Sequence, residues 1–141
     1  MRIEFGEDNI LEISVVQKGT VGIPYDCAIE FQLVSEVSSH TKSCWIDGAD
    51  MKGFLTDLRS LDETMKGKAS LCSESPGEFL LEIMPIDTSG HFVVLVEVGR
   101  KFYIESSVFE AKASNAFPLD TQAMSNLCKK MVAYFEGELN A

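Results

Sequence analysis

Between Asp47 and Gly67 the apolar residues recur every three or four positions, and on both sides of that stretch they alternate. Met51, Phe54, Leu55, Leu58, Leu61 and Met65 make one stripe along a helix. A period of 3.6 suits a helix and a period of 2 suits a strand, so these switches set the order of the elements. Asp47 supplies an N-terminal cap, with Asp50 three residues on in the manner of a capping box. Gly67 is the expected left-handed stop. A second helix is expected from a cap at Asp120. Met124, Leu127, Cys128, Met131 and Phe135 form its buried stripe, and Gly137 its end.

The rest reads as strands. Segments 2–6 and 10–17 alternate and are separated by a turn at 7–9. In 26–38, Ile29, Phe31, Leu33 and Val37 share one face, with Glu30, Gln32 and Glu36 on the other. Segments 40–47, 68–73 and 78–84 follow the same rule. Segment 91–99 is apolar on both faces in its middle and is expected to be central in a sheet. Segment 101–119 reads as extended but irregular, with Ala111, Ala113, Phe117 and Leu119 in one phase. Hairpin runs with few helices predict an α+β fold: an antiparallel sheet of about six to eight strands packed on one face by two helices. The 141 residues contain no internal repeat and no linker-like stretch, so a single domain is expected over 1–141.

The chain carries 22 Asp+Glu against 12 Lys+Arg, a net charge of −10. Phosphate backbones and anionic membrane surfaces repel such a surface, so neither nucleic acid nor membrane is expected as a partner. A basic protein is the electrostatic complement. The longest purely apolar run is Phe92–Val96, against the roughly 20 residues a spanning helix needs. Met1-Arg2-Ile3-Glu4 lacks the apolar region of a signal peptide, so a cytoplasmic location is expected. Cys27, Cys44, Cys72 and Cys128 form no CxxC pair and are expected to be reduced, small core residues.

Catalytic patterns are missing. No GxSxG, GxGxxG or GxxxxGK[ST] occurs. The two histidines, His40 and His91, are expected at hairpin ends, bonding to backbone. No catalytic residue, no metal site and no cofactor is therefore expected. The acids are more informative. Glu4, Glu12, Glu30, Glu36, Glu78 and Glu82 fall in the outward strand phase and are expected to converge on the sheet face opposite the helices. Like charges on neighbouring strands cost stability, a cost that solubility, edge protection or a basic partner can justify. Trp45, the single tryptophan, takes the phase opposite to Cys44 and Ile46, and is either core or an interface anchor. These acids and Trp45 are the candidate partner-binding residues.

A family resemblance adds to this. The helix contains Phe54-Leu55-Thr56-Asp57-Leu58-Arg59-Ser60-Leu61 and ends in Gly67-Lys68-Ala69-Ser70-Leu71. Gly90-His91-Phe92-Val93-Val94 follows in a hairpin, and Phe117-Pro118-Leu119-Asp120 leads into the last helix. This order, an FLxxLxxL helix, a GxAxL turn, a GHxxV hairpin and an FxLD step, resembles the WapI-type immunity proteins and related small bacterial proteins of unassigned function. The resemblance implies a cytosolic antidote that binds the C-terminal toxin domain delivered by a neighbouring cell, often a nuclease. The expected function is thus that of a non-enzymatic immunity protein against a basic toxin domain. The alternative is an acidic protein-binding or regulatory module with another partner. The sequence leaves the oligomeric state open.

Overall fold

The structure, a computed structural model, describes residues 1–6, 8–19 and 21–140. Among these the chain forms β1 (Arg2–Glu4), β2 (Ile10–Lys18), β3 (Cys27–Val34), β4 (Ser39–Ile46), α1 (Gly48–Thr64), β5 (Ala69–Cys72), β6 (Phe79–Pro85), β7 (Phe92–Ile104), β8 (Ser107–Leu119) and α2 (Thr121–Leu139). Glu7, in the expected first turn, lies outside the described residues. The fold is α+β and its strand pairing is antiparallel throughout. The strands divide into two four-stranded meanders, β1-β2-β3-β4 and β5-β6-β7-β8. The 17-residue helix α1 stands between them and carries the chain about 25 Å, too far for β4 to turn directly into β5.

One apolar core draws on both sheets and both helices. Leu11, Ile13, Ile29, Phe31 and Leu33 enter it from the first sheet, and Leu71, Leu81, Ile83, Val94 and Val96 from the second. Phe31 and Phe79 join the sheets, with ring centroids 4.3 Å apart. Phe5 stacks on Phe117 at 4.3 Å, and Phe54 of α1 meets Phe135 of α2 edge-on at 6.4 Å. Both helical stripes are buried as their spacing requires, apart from Met65 at the end of α1.

The caps explain where α1 starts and stops. The Asp47 carboxylate accepts the Ala49 N–H at 2.8 Å, and the Asp120 carboxylate accepts the Ala123 N–H of α2 at 2.7 Å. Buried Asp26 accepts the Gly48 N–H at 3.1 Å and the Trp45 indole N–H at 3.2 Å, which pins the end of β4 and the start of α1 to β3. Helix α1 stops before Gly67, at Met65. That residue takes the left-handed conformation (φ 60) and donates its N–H to Leu61. Helix α2 passes through Gly137 and ends at Leu139.

Other departures have local causes. Val37 does not share the buried face of β3: the strand ends at Val34, Ser35 bonds back to Ser38, and Val37 is 90% exposed. Cys72 is exposed whereas the other cysteines are buried, because Ala69 and Leu71 hold the inward phase of β5. His40 stands one pair in from the end of the β3–β4 hairpin, opposite Leu33, and its Nε2 is buried without the backbone partner expected of it.

Glu136 ties three segments together. It accepts from Arg59 of α1 at 2.8 Å and from the Tyr25 hydroxyl at 2.7 Å. The Arg59 and Tyr25 hydrogen bonds hold its carboxyl below the ordinary glutamate range. A carboxyl with a lowered folded-state pKa adds stability above its unfolded-state value, and that stability is lost as pH falls through the folded value. Glu136→Gln should therefore melt below the unsubstituted protein at about pH 7, with the gap closing towards about pH 3. Thermal melts across that range check this; a gap independent of pH would remove Glu136 as the titrating tie.

Candidate functional site

The outward face of the first sheet is built from the positions that alternate with its buried ones. Registry sets Arg2 opposite Glu12, Glu12 opposite Gln32, and Glu30 between Ser14 and Ser43. Ser14, Glu30, Gln32, Thr41 and Ser43 are all exposed, so no helix covers this face. Glu4 and Glu12 flank Arg2, whose guanidinium lies 3.3 and 3.4 Å from their carboxylates. Such exposed pairs contribute little stability. Among the described residues Glu30 has no basic group within 4.0 Å, and it stands diagonal to Glu12 across the β2–β3 pair.

The remaining candidates are placed elsewhere. Glu36 lies in the exposed turn between β3 and β4. Glu82 belongs to the second sheet and Glu78 to the turn that leads into it, and neither joins the acids of the first. Glu78 precedes β6, with its carboxylate 3.9 Å from Lys42 Nζ. Glu82 accepts from Ser70 at 3.2 Å and lies 3.7 Å from Lys68. Outward residues of two separate sheets cannot share one face, which is why the expected convergence is limited to Glu4, Glu12 and Glu30. Trp45 is half-buried on the outward side of β4, its indole held by Asp26.

A groove of about 500 Å³ separates β4 from the β7–β8 hairpin and is lined by His40, Lys42, Arg100 and Lys112 among others. Lys42 crosses it to donate to the Gly99 carbonyl at 2.7 Å. His40 Nε2 is buried without a hydrogen-bond partner. The groove lining contains the hydroxyls of Ser39 and Thr41 but no carboxylate and no thiol, and among the described residues neither hydroxyl is hydrogen-bonded to His40 Nε2. His91 instead bonds to a side chain, with Nδ1 2.8 Å from the Asp87 carboxylate in an exposed turn. Burial pushes the Cys27 thiol up to about 11, and the Cys44 and Cys128 thiols up to about 12, which keeps all three protonated at neutral pH. Among the described residues no three His, Cys, Asp or Glu gather as a metal site would require. No described helix is long and apolar enough to cross a membrane.

The structure adds a feature that the sequence pattern hid. Strand β7 continues past Gly99 to Ile104 and pairs with β8 from Ser107 onward. Beyond the last β6 pair, Phe79 with Val98, the hairpin projects as a two-stranded arm. Tyr103, Ile104, Val108 and Phe109 on it are 70, 57, 54 and 45% exposed. Phe102 stacks on Phe109 with centroids 5.7 Å apart, and the Arg100 guanidinium sits 5.4 Å from the Phe102 ring centre. The turn, Glu105-Ser106, contains no glycine; Glu105 itself takes φ 56. The run of β-branched and aromatic residues from Phe102 to Phe109 was the available signal.

No family model, no curated protein and no solved structure matches this chain.

Proposed function

We propose that this chain is a non-enzymatic immunity protein that binds and neutralises a basic toxin domain, of the nuclease class, in the cytoplasm. The observation that supports this reading best is the uncovered outward face of the first sheet. It presents Glu12 and Glu30 among Ser14, Gln32, Thr41 and Ser43 on a chain of net charge −10. A nuclease must attract phosphates, so its active face is basic, and an acidic sheet face is drawn to it over several ångströms. Neutralisation on this reading is occlusion: no bond is made or broken, and the toxin's substrate is excluded while the complex lasts.

Occlusion has a stoichiometric signature. Purified chain titrated against the basic nuclease toxin domain it is proposed to neutralise should abolish nuclease activity at one equivalent. Inhibition at far below one equivalent would instead mark an enzyme, and no inhibition at several equivalents would remove the toxin reading. The histidines carry no chemistry in this account. The double variant His40→Gln, His91→Gln should protect cells co-expressing the toxin as well as the unsubstituted chain does. A folded double variant that has lost all protection would place one of the two histidines in the mechanism or the interface.

A further inference from the structure

Strand β8 is the last in its sheet and pairs on one side only, with β7. Residues 107–112 are all exposed. The connecting turn, Glu105-Ser106, is two residues long, so Ile104 and Ser107 close the hairpin as a hydrogen-bonded pair and the alternation follows from there. Phe109 and Ala111 turn their backbone groups towards β7. Val108, Glu110, Lys112 and Ser114 turn theirs away from it. The side chains of these four share one face as well.

This edge is complementary to itself. With a twofold axis through Ala111 and antiparallel strands, Glu110 lies opposite Lys112 of a second copy, and Lys112 opposite its Glu110. Val108 then meets Ser114, and Phe109 meets Ala113. Every outward-turned N–H and C=O from Val108 to Ser114 finds one in the second copy. An axis through Glu110 or Lys112 would set like charges opposite each other, which destabilises a strand pair. An axis through Phe109 or Ala113 would separate Glu110 from Lys112. Glu110 is 3.7 Å from Lys101 of its own chain, whereas Lys112 has no carboxylate within 4.0 Å among the described residues. Val108 and Phe109 on this strand, and Tyr103 and Ile104 beside them on β7, form an exposed apolar patch on the same arm, next to the unpaired edge.

We propose that a second copy of this chain docks on the outer edge of β8, antiparallel and centred on Ala111, joining two four-stranded sheets into one continuous sheet. The two Glu110–Lys112 contacts set the register. This proposal does not depend on the toxin reading.

Sedimentation of the full chain over about 1–100 µM tests it, the upper limit being high enough to populate even a weak pair. The unsubstituted chain should pass reversibly from monomer to dimer. Lys112→Pro removes an N–H that points away from β7, so it should leave the fold intact and the chain monomeric throughout. Lys112→Glu and Glu110→Lys each create two like-charge contacts per dimer and should weaken association at least about tenfold. Combining them restores opposite charges and should recover the dimer. A monomer at the highest concentration, a dimer indifferent to Lys112→Pro, or a combined variant that stays as weak as the single ones would each overturn the proposal.

Discussion

Phe31→Ala is expected to cost about 3–5 kcal/mol of folding free energy, the range for emptying a buried aromatic site. Phe31 is 1% exposed and its ring lies 4.3 Å from that of Phe79. The pair is the aromatic contact between β3 and β6, so the cavity would open between the two sheets and not inside either one. The surrounding strands are fixed by their ladders and can collapse into it only in part. A domain of this size has roughly 5–15 kcal/mol to lose, so the variant should be near the limit of folding. Urea melts measure the effect. Val37→Ala, at a site 90% exposed, serves as the control and should change stability by no more than about 0.5 kcal/mol. A loss below about 1 kcal/mol for Phe31→Ala would mean that the sheets are held together elsewhere.

Reversing Glu12, Glu30 and Glu36 to Lys should lower the rate of association with a basic toxin domain by at least about tenfold. These residues lie on the first sheet and on its β3–β4 turn, and all are accessible. Glu12 is the one engaged with Arg2, so its reversal also frees a positive charge. The triple change moves the net charge from −10 to −4 (three charges removed and three of opposite sign added), mostly on the face proposed to meet the toxin. Exposed charges act chiefly through encounter, so the dissociation rate should move far less. Stability should change little, since none of the three side chains is buried. The matched control is Glu82→Lys on the second sheet, a change of the same sign. It should slow association much less per charge, and an equal effect would mean that overall charge, not this face, steers binding.

Periodicity carried most of the fold. The stripe from Met51 to Leu61 and the stripe from Met124 to Phe135 are buried as read, because a helix on a sheet has one way to hide a 3.6-residue repeat. The alternation of Ile29, Phe31 and Leu33 likewise gave the inward face of β3. What alternation does not specify is which strands share a sheet. Glu82 has the same outward phase as Glu12, yet α1 puts it on a different sheet, and the acidic face shrank accordingly. Ends were less legible than middles. Val37 kept the phase after the strand had stopped, and Met65 took the left-handed cap that Gly67 had been expected to take. The β7–β8 arm is legible in the sequence only as extended, because Glu105 makes its turn without a glycine or asparagine and because its aromatic residues face solvent instead of forming a buried stripe. Trp45 escaped assignment for a similar reason: its anchor, Asp26, lies 19 residues away in sequence.

On the function proposed above, this chain binds a basic protein through the acidic face of its first sheet. The most direct test is the association rate constant of the unsubstituted chain with the basic nuclease toxin domain it is proposed to neutralise, measured by stopped flow from about 0.05 to about 0.5 M salt. Over that range the Debye length falls from roughly 14 to roughly 4 Å, which screens attraction at a distance but leaves short contacts largely in place. The association rate should fall at least about tenfold while the dissociation rate stays within about twofold. An association rate unchanged across that salt range, or no binding at all, would contradict the proposed function.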